Sequence, residues 1–83
     1  MIAADTIGDA VRSIAHHLEQ AGIDEAVSEA RLIISYALDL TRSEVIGRED
    51  EKLLDTQLIR CRSLAKRRSA REPIAYLLSL IHI

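Results

Sequence analysis

Eighty-three residues, 48% hydrophobic and 29% charged, make one small globular domain rather than two domains or a disordered tract. With no Phe or Trp and only two Tyr, the core must be aliphatic, which suits packed helices and leaves few platforms for stacking nucleic-acid bases. The formal net charge of −2 conceals an asymmetry: residues 1–59 carry 12 acids against 5 bases (−7), and residues 60–83 carry 6 bases against Glu72 alone (+5).

In chain order, TIGDAVRSIAHHLEQAG is the first predicted helix. Thr6 can cap it through its hydroxyl, and Asp9 stands three residues on, where a capping-box acid reaches back. Ile7, Ala10, Val11, Ile14, Ala15 and Leu18 recur at spacings of three and four and form one apolar stripe. Gly22 is placed to take the left-handed conformation that ends a helix. DEAVSEARLIISYALDL follows, with Asp24 as the expected N-cap and a broad apolar face of Val27, Ala30, Ile33, Ile34, Ala37 and Leu38. A face that wide predicts a central helix touched on more than one side.

TRSEVIG then holds a capping box, Thr41 with Glu44, and Gly47 as a stop, predicting a short helix that docks Val45 and Ile46. The fourth predicted helix runs from about Asp50 to Ala70, its stripe made by Leu54, Leu58, Cys61, Leu64 and Ala65, with Leu53 and Ile59 on the flanks. Pro73 ends it, since proline biases the preceding residue away from helical geometry. IAYLL after it is β-compatible and reads as a strand-like tail. The expected fold is all-α: a small four-helix bundle, one helix short, with a truncated strand-like C-terminal tail.

Chemistry finds few footholds. A single cysteine forms no intramolecular disulfide and no cysteine metal cluster, and its place on an apolar stripe predicts a buried, inert thiol. His16 and His17 are adjacent, so on a helix they point about 100° apart and do not chelate one metal; a solvated face is the better reading. The three glycines, Gly8, Gly22 and Gly47, are scattered and build no phosphate-cradling loop. The N-terminus has neither the basic nor the apolar region of a signal peptide, and no apolar run approaches the roughly 20 residues of a membrane helix, so a cytoplasmic domain without a membrane partner is expected.

The basic cluster of Lys66, Arg67, Arg68 and Arg71 is the strongest remaining feature. It occupies the last turns of the fourth predicted helix, where the macrodipole favours cations. It also offers contact to an anionic partner, an acidic protein or RNA phosphate. A DNA-reading helix-turn-helix fits less well, because the second helix is too apolar for a groove and the domain is acidic.

DEAVSEARLIISYALDLTRSEVI followed by KRRSAREPIAYLL resembles the N-terminal domain of the release-factor glutamine methyltransferases, the PrmC/HemK family. The matching positions are Glu29-Ala30-Arg31-Leu32-Ile33, Leu40-Thr41-Arg42, Arg67-Arg68 and Glu72-Pro73-Ile74-Ala75-Tyr76-Leu77-Leu78. The resemblance implies a helical domain over 1–72 that docks the substrate, the peptide chain release factor. It implies that 73–78 begin a β-hairpin linker to a Rossmann-like methyltransferase domain that uses S-adenosylmethionine to methylate the glutamine of the Gly-Gly-Gln loop. That family expects Gly after AYLL, whereas this chain has Ser79-Leu80-Ile81-His82-Ile83, so 79–83 read as a non-native or truncated tail. The cofactor's Gly-rich turn and the catalytic Asn-Pro-Pro-Tyr motif are absent from these 83 residues, so no catalytic, cofactor-binding or metal residue is assigned and the fragment alone is expected not to be catalytic. Arg67, Arg68 and Arg71 are the candidates for contact with the release factor or with the catalytic domain. The alternative is a free-standing helical adaptor or nucleic-acid-binding module.

Overall fold

Thr6 starts the first helix as expected: its side-chain oxygen accepts from the Asp9 amide at 3.1 Å. The Asp9 carboxylate does not complete the box but pairs with Arg12 one turn on. The computed structural model describes residues 6–79, the side chain of residue 79 excepted. Among them stand α1 (Ile7–Gln20), α2 (Ala26–Leu38), α3 (Arg42–Gly47), α4 (Asp55–Ser69) and α5 (Ile74–Ser79), with no sheet. The all-α expectation holds.

The tail is corrected. Residues 74–79 form a fifth helix rather than a strand. Pro73 both stops α4 and opens α5, its carbonyl accepting from the Leu77 amide at 3.2 Å. Leu77 and Leu78 point about 100° apart on this helix, and both are buried, Leu77 in the main core. Residues 80–83 of the tail lie outside the described residues.

Two helix boundaries also differ from expectation. Helix α2 starts after Glu25, with no side-chain cap from Asp24. Helix α4 starts at Asp55, not Asp50, because residues 49–52 are needed elsewhere: the Glu49 and Glu51 carbonyls accept from the Gly8 and Ile7 amides at 2.9 Å. These are first-turn donors of α1 that have no partner inside their own helix. Thr6 and Lys52 form an isolated antiparallel bridge beside them. A Cβ at Gly8 would meet the Glu49 carbonyl oxygen at 3.2 Å, so the close approach of this loop calls for glycine there.

Three helices close in the same way. After α1, Ile23 donates to the Leu18 carbonyl and Gly22 to that of Glu19, with Gly22 at φ +81°. After α2, Leu40 donates to Ser35, and Asp39 takes the left-handed conformation. After α4, Glu72 donates to Arg67 and Arg71 to Arg68, with Arg71 at φ +71°. This is the Schellman pattern, which satisfies the orphan carbonyls and reverses the chain sharply. The α3 capping box forms as predicted, Glu44 amide to Thr41 hydroxyl at 3.1 Å and Thr41 amide to Glu44 carboxylate at 2.9 Å. The backbone and hydroxyl donors of Thr41 hold the Glu44 carboxyl below the usual carboxylate range.

The core is aliphatic. Ile7, Ala10, Val11, Ile14, Ala15 and Leu18 of α1 meet Ala30, Ile33, Ile34 and Ala37 of α2, with Val45, Cys61, Leu64, Ala65 and Leu77 closing the remaining sides. Helix α2 is central, packed against α1, α3 and α4. The predicted stripe of α4 is narrower than expected: Leu54 and Ile59 are two-thirds exposed, as Ile46 of α3 is by half. No helix among the described residues is long and apolar enough to cross a membrane.

Candidate interaction surface

The three arginines singled out in the sequence meet at one corner of the bundle, where the α1–α2 turn, α2, the end of α4 and the start of α5 converge. Arg68 sends Nε and Nη2 to the two carboxylate oxygens of Glu29 on α2, at 2.6 and 3.3 Å, and Nη1 to the Glu72 carbonyl at 3.2 Å. The Glu29 carboxylate tightens the guanidinium's hold on its proton. Arg67 forms a two-pronged pair with Glu72, at 2.9 and 2.7 Å, and lies 5.9 Å from the Tyr76 ring centre. Hydrogen bonds from Arg67 hold the Glu72 carboxyl below its usual range.

Arg71 reaches back fifty residues to donate to the Ala21 carbonyl at 2.8 Å. It does so from a left-handed backbone, which a residue with a Cβ adopts at a cost of about 1 kcal/mol or more. A Cβ at Gly22 would meet its Nη2 at 3.0 Å. All three arginines thus have partners within the chain, grouped around the turn between α4 and α5. Sequence reasoning weighed the dipole against an outside partner. The tertiary partner Glu29, in the other stretch that carries the family resemblance, went unrecognised, because nothing local links positions 39 residues apart.

A second surface lies between α1 and α4, whose C-terminal ends run side by side and are joined where His17 Nε2 meets Ser69 Oγ at 3.0 Å. It is a groove of about 280 Å³ lined by Ser13, Ile14, His17, Arg62, Ala65 and Lys66. His17 is exposed, as the solvated-face reading expected. A further depression, at the start of α2, is lined by Glu19, Asp24, Glu25, Ala26, Val27, Ser28 and Arg31.

Among the described residues the groove offers S-adenosylmethionine no carboxylate for its ribose hydroxyls, and the glycines stand in α1, in a turn and at the end of α3, where no two of them form a cradle. Among the described residues no group of three or more His, Cys, Asp and Glu side chains is arranged to hold a metal.

Cys61 is fully buried, and burial pushes its thiol up to about 11, with Arg60 opposing the shift. At pH 8 only about one thiol in a thousand is then ionised. Iodoacetamide is therefore expected to label the native chain more than a hundredfold more slowly, as an order of magnitude, than the urea-unfolded chain. Equal rates followed by mass spectrometry would contradict the burial of Cys61.

A family model described as the PrmC N-terminal domain matches residues 9–78. Neither the curated proteins nor the solved structures gave a match to the chain.

Proposed function

This chain belongs to the PrmC N-terminal domain family, and from that premise we propose that it is the release-factor-docking domain of an S-adenosylmethionine-dependent glutamine methyltransferase. The observation that carries the reading is the family match over residues 9–78, which reaches from the first turn of α1 into α5. In this reading a separate methyltransferase domain binds the cofactor and transfers the methyl group to the glutamine amide of the Gly-Gly-Gln loop. The helical domain supplies binding energy remote from the reacting atoms and so orients the loop.

The corner of Arg67, Arg68 and Arg71 is proposed as the side that meets the catalytic domain. These residues are grouped around the turn into α5, and in the resemblance the connection to that domain starts at this end of the bundle. A rigid exit matters, because a docking domain that swings freely loses effective concentration at the active site.

The test joins the 83 residues to the catalytic half of a family member and measures methyl transfer to a peptide chain release factor. Fusion is expected to raise kcat/KM by about tenfold or more over the catalytic half alone, chiefly through KM. No gain with both halves folded, or equal gain from an unrelated helical bundle, would remove the docking role. Salt-sensitive RNA binding by the 83 residues in place of release-factor binding would favour the adaptor reading.

A further inference from the structure

The basic segment from Arg60 onward spends most of its charge inside the molecule. Arg67, Arg68 and Arg71 are bonded as above, and Arg60 reaches the Ala37 carbonyl at 3.4 Å. Among the described residues, Arg62 and Lys66 are the two cations of that segment whose side chains make neither an ion pair nor a hydrogen bond, even to backbone. They stand one helical turn apart on the α4 wall of the groove. We propose that this groove binds an acidic, aliphatic segment of a protein partner. The proposal rests on the docking role given above and names the chemistry that docking uses.

The lining has the composition that such a segment requires. Ile14 and Ala65 form the floor, and the methylene stems of Arg62 and Lys66 widen the apolar wall while their charged heads stay in water. Ile59, two-thirds exposed, lies one turn before Arg62 on the same face and prolongs the strip along α4. Among the described residues no carboxylate lines the groove, although the chain is acidic as a whole.

At the rim, the Ser69 hydroxyl donates to the Lys66 carbonyl at 2.8 Å, so it accepts from His17 Nε2. That bond holds His17 at the rim, and in this tautomer Nδ1 is an acceptor that a backbone N–H of the segment can meet. At about 280 Å³ the groove falls just under the range of small-molecule sites, and it suits side chains presented by a peptide. Nucleic acid fits less well: two cations make a short phosphate track, and among the described residues no Phe, Tyr or Trp lines the groove to stack a base.

The experiment titrates the isotope-labelled 83-residue chain with a synthetic peptide of Glu-Leu-Leu-Glu repeats and follows backbone amides by NMR. Shifts centred on Ser13, Ile14, His17, Arg62, Ala65 and Lys66 are expected, with affinity falling roughly tenfold or more in the Arg62→Glu, Lys66→Glu double variant. The Arg62→Gln, Lys66→Gln pair, which keeps good helix formers, should weaken binding in the same direction and guards against a variant that fails to fold.

Shifts elsewhere, or binding unchanged by both double variants, would overturn the proposal. So would equal binding of a peptide with Ser in place of every Leu, preferential binding of oligouridylate, or self-association of the chain through the same residues. A release factor is then titrated against the native chain and the Gln pair. Equal binding to both sinks the groove and leaves the docking role standing. Binding to neither sinks the docking role, and the peptide result alone then decides the groove.

Discussion

Leu77→Ala is expected to cost about 3 kcal/mol of unfolding free energy, the middle of the range for removing a fully buried leucine side chain. Leu77 is 0% exposed and belongs to the main core cluster, although it stands in a helix of six residues near the end of the described chain. A helix that short has no stability of its own, since nucleation is unfavourable and few bonds follow it. What holds α5 is the burial of Leu77 and Leu78 together with the arginine corner. For a domain of this size, total stability is roughly 4–12 kcal/mol. The loss should lower the melting temperature by roughly 12–24 °C.

Tyr76→Ala supplies the comparison, because Tyr76 is half exposed on the neighbouring position. It should lose much less, within about 1 kcal/mol. Urea titrations of both variants read the difference. If the two cost the same, or if Leu77→Ala leaves the midpoint unchanged, α5 is not part of the cooperative unit.

The elements fixed by local chemistry were legible in the sequence. The Thr41–Glu44 box, the Thr6 cap, the turn at Gly22 and the α1 stripe all depend on residues within four positions of one another, and all formed as read. The misreadings have two different causes, a partner far away in sequence and a segment too short to show a period. Residues 49–52 look helical by composition, yet they serve as acceptors for α1, more than forty residues upstream. IAYLL carries too few residues for periodicity to choose helix or strand, and packing against α4 chose helix.

The candidate surface divides along the same line. The basic cluster was visible as a charge imbalance, but which cations are used internally depends on where Glu29 and the Ala21 carbonyl come to lie. The groove joins Ser13 and His17 to Arg62 and Lys66, two pairs with the same spacing of four on different helices. Each pair alone reads as an ordinary solvated face. Only the side-by-side arrangement of α1 and α4 makes them one surface.

Arg68→Ala is expected to cost about 2 kcal/mol, below the 3–5 kcal/mol of a fully buried broken pair because some solvent reaches this one. Arg68 and Glu29 side chains are 19% and 18% exposed, and the guanidinium makes three hydrogen bonds that join α2, α4 and the approach to α5. Removing Arg68 leaves the Glu29 carboxylate enclosed without its cation, which costs more than the net worth of the intact pair. Glu29→Gln with Arg68→Met, which removes both charges, should therefore lose less than the sum of the single changes, by about 1–2 kcal/mol in a double-mutant cycle. The coupling should fall little between low and moderate salt, because screening acts weakly on enclosed charges. Arg67→Ala is the control: its pair with Glu72 is about twice as exposed, and its loss should be smaller and more sensitive to salt. Small effects at both positions, equally sensitive to salt, would mean that the corner is surface ornament. An effect confined to Arg68 would mean that the direction in which α5 leaves the bundle is set from α2, the central helix, through a single guanidinium.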